Sequence, residues 1–299
     1  MESSSENEVF LITPGQSFLG AWMTRSLLES GARFVVLDSR PRNDLLAQIV
    51  PPELLAAAPR VFSRRTDAAS LAEILEKHRV TQVVDLRALE EPTSKLEPRR
   101  SSFEDLLQAV ALRQGAVASL VYALADEGSV EVDAARRILG EGGPAAIGVR
   151  VQGLLGVGLE SGPLSEASRA VKAAVLARLY TLPFAGTLEV SYVEDVARTI
   201  LALSRSRPEE PLRLSAPRQA VAVEELLAAI EHAVPECVGK ILAFGVEAES
   251  EFSLAESEID ALLGDNAPPL TPIAECVARM ATHFRLLAEE GRLHDRDLR

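Results

Sequence analysis

Cysteine is nearly absent from this sequence. Its 299 residues include two, Cys237 and Cys276, too few for a disulfide framework and without the paired spacing of a zinc site, so two buried, inert thiols are expected. Histidine is almost as scarce: His78, His232, His283 and His294 are scattered, with no HxxH or HxxxH pair, and no metal centre is expected. No apolar run reaches the length of a bilayer span, the longest mostly apolar stretch lying between Ala116 and Ala125, and the polar start Met1–Glu8 has no basic segment of the kind that opens a leader. A soluble, cytoplasmic chain with no membrane partner is expected. Positive charge is also in deficit, with 31 basic against 44 acidic residues for a net charge of −13, which repels a nucleic-acid backbone and excludes it as a natural partner.

What is present is enough apolar material, 47% of the residues, for a sizeable core at this length. From Glu8 the chain reads as a strand (Val9–Thr13), a turn at Pro14-Gly15, a helix to about Ser30 and a second strand (Phe34–Leu37). In that helix Leu19, Met23 and Leu27 recur on one face, Trp22 and Leu28 widen the stripe, and Gly31 supplies the C-cap. The alternation continues: Arg60–Phe62 strand, Ala69–His78 helix, Val80–Leu86 strand, Ser102–Gln114 helix, Ala118–Leu124 strand, Val130–Leu139 helix, Ala146–Val151 strand. The nearly all-apolar Val80–Leu86 suits a parallel sheet covered on both faces. The pattern predicts an α/β fold of Rossmann type, a doubly wound parallel sheet.

Beyond Gly153 the pattern loosens into a glycine-rich loop, a helix over Glu166–Tyr180, short strands at Thr187–Val190 and Leu212–Leu214, and amphipathic helices at Val223–Ala233 and Pro272–Glu290. Two domains are expected: residues 1–152 as the dinucleotide-binding-type domain, and residues 153–299 as a smaller mixed substrate lobe that contributes elements back to the first core. Polar candidates in the lobe are Glu160, Ser161, Ser165, Arg169 and Lys172.

The turn Thr13-Pro-Gly-Gln-Ser-Phe-Leu-Gly20, between first strand and first helix, resembles the TGxxGxxG turn of extended short-chain dehydrogenases/reductases, the group of NAD-dependent epimerases and dehydratases. Small residues there let the backbone approach a pyrophosphate at the positive end of the helix. The resemblance continues in order: Val83-Val-Asp-Leu-Arg-Ala88 is similar to the strand ending in HLAA, Val149–Gly158 to LRPxxxYGPG, Ser191-Tyr-Val-Glu-Asp-Val-Ala197 to FVHVDDVA, and Pro211–Ser215 with Val223-Glu-Glu-Leu226 to the YNLG…S…EL stretch. It implies cofactor contacts at Gly15, Ser17, Phe18, Leu19 and Gly20, with Asp38 accepting the ribose hydroxyls and favouring NAD over NADP. Arg64 and Arg87 stand near further cofactor positions. It also implies a homodimer through the helices at 102–114 and 130–139, although Leu106, Leu107, Val110 and Ala111 serve equally well as the core of one subunit.

The sequence departs from this family where the family does its chemistry. The Tyr-x-x-x-Lys pair aligns with Ser129 and Asp133: a serine is far less acidic than a phenol, and an aspartate beside it opposes ionisation. The serine or threonine at the end of the fifth strand is replaced by Leu124 and Ala125. Pro14 and Ser17 replace two motif glycines and Arg87 interrupts HLAA, so NAD binding is expected to be weakened or lost. Arg40, Arg42, Arg64 and Arg65 form either a phosphate site or a solvated basic edge.

Three readings stay open. One is a divergent, non-redox protein that binds a small polar or nucleotide-type ligand, or a partner. Another is an active epimerase, dehydratase or reductase acting on a nucleotide-sugar or similar polar substrate, with Tyr122, Asp126 or Glu131 as substitute proton donor. The last is a fold kept for association alone. Tyr122, inside an apolar strand, and Tyr192, inside SYVEDVA, are expected to be structural.

Overall fold

The computed structural model describes residues 7–39, 41, 44–64, 67–90, 96–124, 129–159, 161–162, 164–247, 258–293 and 298. Asp126, Ala125, Arg40, Arg42, Arg65, Glu160 and His294 lie outside them. The first half alternates β1 (Val9–Thr13), α1 (Phe18–Glu29), β2 (Arg33–Asp38), α2 (Asp44–Ile49), α3 (Pro52–Leu55), β3 (Arg60–Phe62), α4 (Ala68–Lys77), β4 (Gln82–Asp85), α5 (Leu96–Leu112), β5 (Ser119–Leu124), α6 (Ser129–Leu139) and β6 (Ala145–Arg150). There follow β7 (Leu154–Leu155), α7 (Ser165–Val175), β8 (Tyr180–Ala185), β9 (Thr187–Tyr192), α8 (Val193–Leu203), β10 (Leu212–Ser215), β11 (Gln219–Ala222), α9 (Val223–Ala233), β12 (Ile241–Glu247), α10 (Glu258–Leu263) and α11 (Ile273–Glu289).

The chain divides into two compact units. The larger comprises Met1–Val151, Ala197–Ala216 and Ser257–Pro268, the smaller Gln152–Val196, Pro217–Glu256 and Pro269–Arg299. Seven parallel strands in the order β10-β6-β5-β4-β1-β2-β3 make the sheet of the larger unit. The chain runs outward from β1 to β2 and β3, then returns to the other side of β1 to lay down β4. The crevice beyond the carboxyl ends of β1 and β4 is therefore the topological switch point, the place where such sheets hold ligands.

Burial explains the strand composition. Every residue of β1, Val-Phe-Leu-Ile-Thr, is buried, as are all of β4 and β5, because helices cover both faces. On one face Leu11, Val83, Leu120, Tyr122 and Leu124 pack against Leu71, Leu75, Leu106, Leu107, Val110 and Ala135 of α4, α5 and α6. Each such leucine withdrawn from water is worth about 1.5–3 kcal/mol, so the apolar stripe of α5 is spent inside its own unit. Among the residues α5 and α6 turn outward, Glu104 and Arg137 form an ion pair between the two helices at 2.7 Å, and Leu112 and Val130 are exposed apolar side chains.

The Rossmann-type sheet is as the sequence pattern predicts, with local differences. The helix expected over Glu166–Tyr180 stops at Val175, because Ala177 takes a left-handed conformation at φ 54° and the Arg178 N–H closes on the Ala173 carbonyl. Tyr180 then opens β8, which pairs with β12. The strand at Leu212–Leu214 joins the large sheet as β10 beside β6, an element that residues beyond 153 contribute back to the first core. The helix α8 begins within the SYVEDVA motif and is not among the elements that the sequence pattern predicts. The smaller unit holds a three-stranded sheet (β11-β9-β7), a two-stranded one (β12-β8) and the helices α7, α9 and α11.

Candidate functional site at the switch point

The turn between β1 and α1 is tightened by its two glycines. A Cβ on Gly15 would land on the Val36 side chain, and one on Gly20 would land on the Pro14 carbonyl oxygen, 2.8 Å from Ser17 Oγ. Ser17, in place of a glycine, faces inward as the N-cap of α1: its Oγ donates to the Pro14 carbonyl at 2.8 Å and accepts the Gly20 N–H at 3.2 Å. The substituted side chain thus stabilises the turn instead of projecting from it. The Phe18 and Leu19 N–H groups that follow have no partner among the described residues and lie in the first turn of a helix that carries no acidic residue there. That is the donor arrangement an anion needs.

Asp38 closes β2 with its carboxylate 6% exposed, and Oδ1 accepts the Gln16 N–H at 3.1 Å. The carboxylate is thereby fixed against the glycine turn. Ser63 donates its N–H to the Asp38 carbonyl, so the next residue, the exposed Arg64, stands at the same carboxyl edge of the sheet, beyond β3.

On the other side of the crevice Asp85 registers with Thr13, and the Leu86 N–H donates to the Thr13 carbonyl at 2.6 Å. Arg87, two residues past Asp85, folds back onto it: Nε meets Oδ1 and Nη2 meets Oδ2, both at 2.8 Å, and the Arg87 N–H adds a third bond to Oδ1 at 3.1 Å. Burial works against the guanidinium charge, but the Asp85 carboxylate, aided by Asp105 and Glu90, outweighs it and raises the arginine further above its ordinary value. The sequence reading singled out Arg87 and missed Asp85. The signal was an aspartate and an arginine two apart at a strand end, spacing that suits a fork.

The residues aligned with the family's catalytic pair both lie on α6. Ser129 is the first residue of α6, and the Asp133 side chain is 74% exposed and pairs with Arg136 at 3.7 Å. Leu124 ends β5 fully buried. Tyr122 lies in the core, its ring 4.9 Å from that of Phe103, with no hydrogen-bond partner for its hydroxyl among the described residues. Burial, then the charge of Glu131, pushes this phenol well above its ordinary value, with Arg136 opposing, so Tyr122 stays protonated. Tyr192 is likewise buried, bonded to Glu194 at 2.7 Å, and raised by burial and that carboxylate.

In the smaller unit Arg169 ion-pairs with Glu166, whose other oxygen accepts the Tyr180 hydroxyl at 2.6 Å. Ser165 Oγ donates to the Gly162 carbonyl, and Lys172 is buried on α7. A groove of about 340 Å³ in the larger unit, lined by Val9, Leu28, Arg33, Phe34, Pro59 and His78, opens at the amino ends of β1 and β2, the edge opposite the switch point.

With this geometry in hand, the chain proves similar in structure to several nucleotide-sugar epimerases. UDP-N-acetylglucosamine 4-epimerase from Bacillus cereus superposes with a TM-score of 0.68 at 18% identity, over 93% of this chain and 99% of that one. ADP-L-glycero-D-manno-heptose-6-epimerase from Helicobacter pylori gives 0.70 at 16%, over 95% and 98%. UDP-glucose 4-epimerase from Thermus thermophilus, solved in complex with NAD, gives 0.64 at 18%, over 93% and 99%. At these identities the likeness is one of fold, the Rossmann-type α/β fold that these epimerases share. No protein-family model matches the sequence, and no curated protein is found as a relative.

Proposed function

We propose that this chain binds a nucleotide-type ligand at the β1 side of its switch point and has given up the proton and hydride chemistry that the epimerase fold otherwise supports. Asp133 carries this reading: at the position of the lysine that lowers a catalytic tyrosine's pKa stands a carboxylate, 74% exposed and paired with Arg136. An anion there opposes phenolate formation, and Tyr122, buried and held protonated, is a poor substitute.

NAD supplies hydride acceptance where such a site holds it. Here the adenosine-diphosphate half fits the chain: the Phe18 and Leu19 N–H groups would receive phosphate oxygens, the Ser17 N-cap and the glycine clasp keep the turn in place, and Asp38 would take the ribose hydroxyls, an arrangement favouring NAD over NADP. Self-association through α5 and α6 would not draw on Leu106, Leu107 and Val110, which are buried in their own unit, and falls to the residues these helices expose, Glu104, Leu112, Val130 and Arg137 among them. Light scattering that returns the mass of one chain would remove it.

The test is calorimetric titration of the cofactor-stripped protein with NAD, NADH, NADP and ADP, beside the Asp38→Ala variant. Binding that the variant loses, without NAD-linked turnover of UDP-sugars, is the expected result. Absence of any nucleotide binding, or NAD-dependent epimerisation at a steady rate, would overturn the proposal.

A further inference from the structure

A dinucleotide lies across a switch point, one nucleotide over each half of the sheet. The two halves of this crevice are not equivalent. The β1 side offers free helix-terminal N–H groups and a carboxylate for a ribose, whereas the β4 side ends in the Arg87–Asp85 fork. Asp85 is 5% exposed and uses both oxygens on Arg87, which fixes the guanidinium at the carboxyl end of its strand. Nε and Nη2 are consumed, but Nη1 has no partner among the described residues, and the arginine side chain is 21% exposed. A fixed guanidinium with one donor edge left over suits a phosphate oxygen.

We infer that Arg87 makes the switch point selective for a nucleoside diphosphate over a dinucleotide, by presenting Nη1 to the terminal phosphate in the half where a nicotinamide nucleoside would otherwise lie. The inference rests on the nucleotide-binding reading above and names its ligand class. Asp85 acts as the positioning residue: it orients the guanidinium and lowers its net charge, so that selectivity comes from directed hydrogen bonds more than from a diffuse field. A nucleoside monophosphate lacks the terminal phosphate and gains nothing from Arg87.

The experiment is titration of ADP, AMP, NAD and NADH into the full chain, its Arg87→Ala variant and the Asp85→Asn/Arg87→Gln double variant. The double variant removes both charges together and leaves no buried carboxylate unpaired if the single variant does not fold. One charge-assisted hydrogen bond to phosphate corresponds to about tenfold to a hundredfold in affinity, so the wild type is expected to prefer ADP to NAD by at least about tenfold. In the variants that ratio collapses towards one while AMP binding stays within about twofold. A wild type that binds NAD as tightly as ADP, or a preference for ADP that survives in the double variant, overturns the inference and leaves the nucleotide-binding reading standing. Absence of binding by all four ligands overturns both.

Discussion

Asp195 receives both hydrogen-bond donors of Thr271, the backbone N–H on Oδ2 and the hydroxyl on Oδ1, each at 2.7 Å and across 76 residues of sequence. The carboxylate is 1% exposed, and it ties the SYVEDVA segment to the approach of α11 within the smaller unit. A buried carboxylate held in this way is costly to disturb. Asp195→Asn places an amide N–H₂ against at least one donor and is expected to cost about 2–4 kcal/mol, against about 1–2 for Thr271→Val, in denaturant unfolding. Equal, negligible losses would show that the contact carries no stability.

Replacing a helical glycine by alanine ordinarily stabilises a helix by about 1 kcal/mol. Gly20→Ala is expected to do the reverse and cost about 2–3 kcal/mol, because the new methyl meets the Pro14 carbonyl oxygen, which is backbone and cannot step aside cheaply. Thermal unfolding of this one variant checks whether the β1–α1 turn is as tight as described.

Tyr122→Phe removes a buried hydroxyl that has no partner among the described residues. Stability is expected to hold or rise by up to about 1 kcal/mol. Any ligand binding should be unchanged. A loss of more than about 1 kcal/mol, or loss of a catalytic activity, would instead mean that the hydroxyl has a role.

Asp133→Ala, at a solvent-facing position, is expected to leave stability within about 0.5 kcal/mol and nucleotide affinity untouched, since an exposed pair such as Asp133–Arg136 contributes little. A tenfold change in affinity would place this residue in the site after all.

Burial, then the charges of Asp195 and Glu194, pushes the Cys276 thiol up to about 12 from an ordinary value near 9. Above pH 9 the unfolded chain loses this proton while the folded one keeps it, so the unfolded state binds fewer protons and stability falls as pH rises through the window from 9 to 12. Relative to Cys276→Ala, the wild type should lose on the order of 3 kcal/mol more across that window. Parallel melting curves for the two proteins from pH 8 to 11 would show the thiol is not protected.

The alternation of strands and helices as far as Arg150 was determined by the sequence, because both periodicities are local. Val9–Thr13 is apolar enough to be buried on both faces, and the stripe Leu19, Met23, Leu27 has to lie on a sheet. The glycine turn was legible for the same reason. What local pattern could not decide was where distant segments pair: Leu212–Ser215 reads as an isolated strand until the edge of β6 receives it, and Tyr180 reads as helix until Ala177 turns the chain. Side-chain direction was equally hidden. Ser17 looks in sequence like an obstruction in a phosphate loop, yet it caps the helix from within. Arg87 looks like an interruption of a motif, yet the sheet register sets it beside the switch point and Asp85 fixes its fork. Composition and periodicity act along the chain, whereas a site is a set of directions in space, and those are fixed only once strands some seventy residues apart lie side by side.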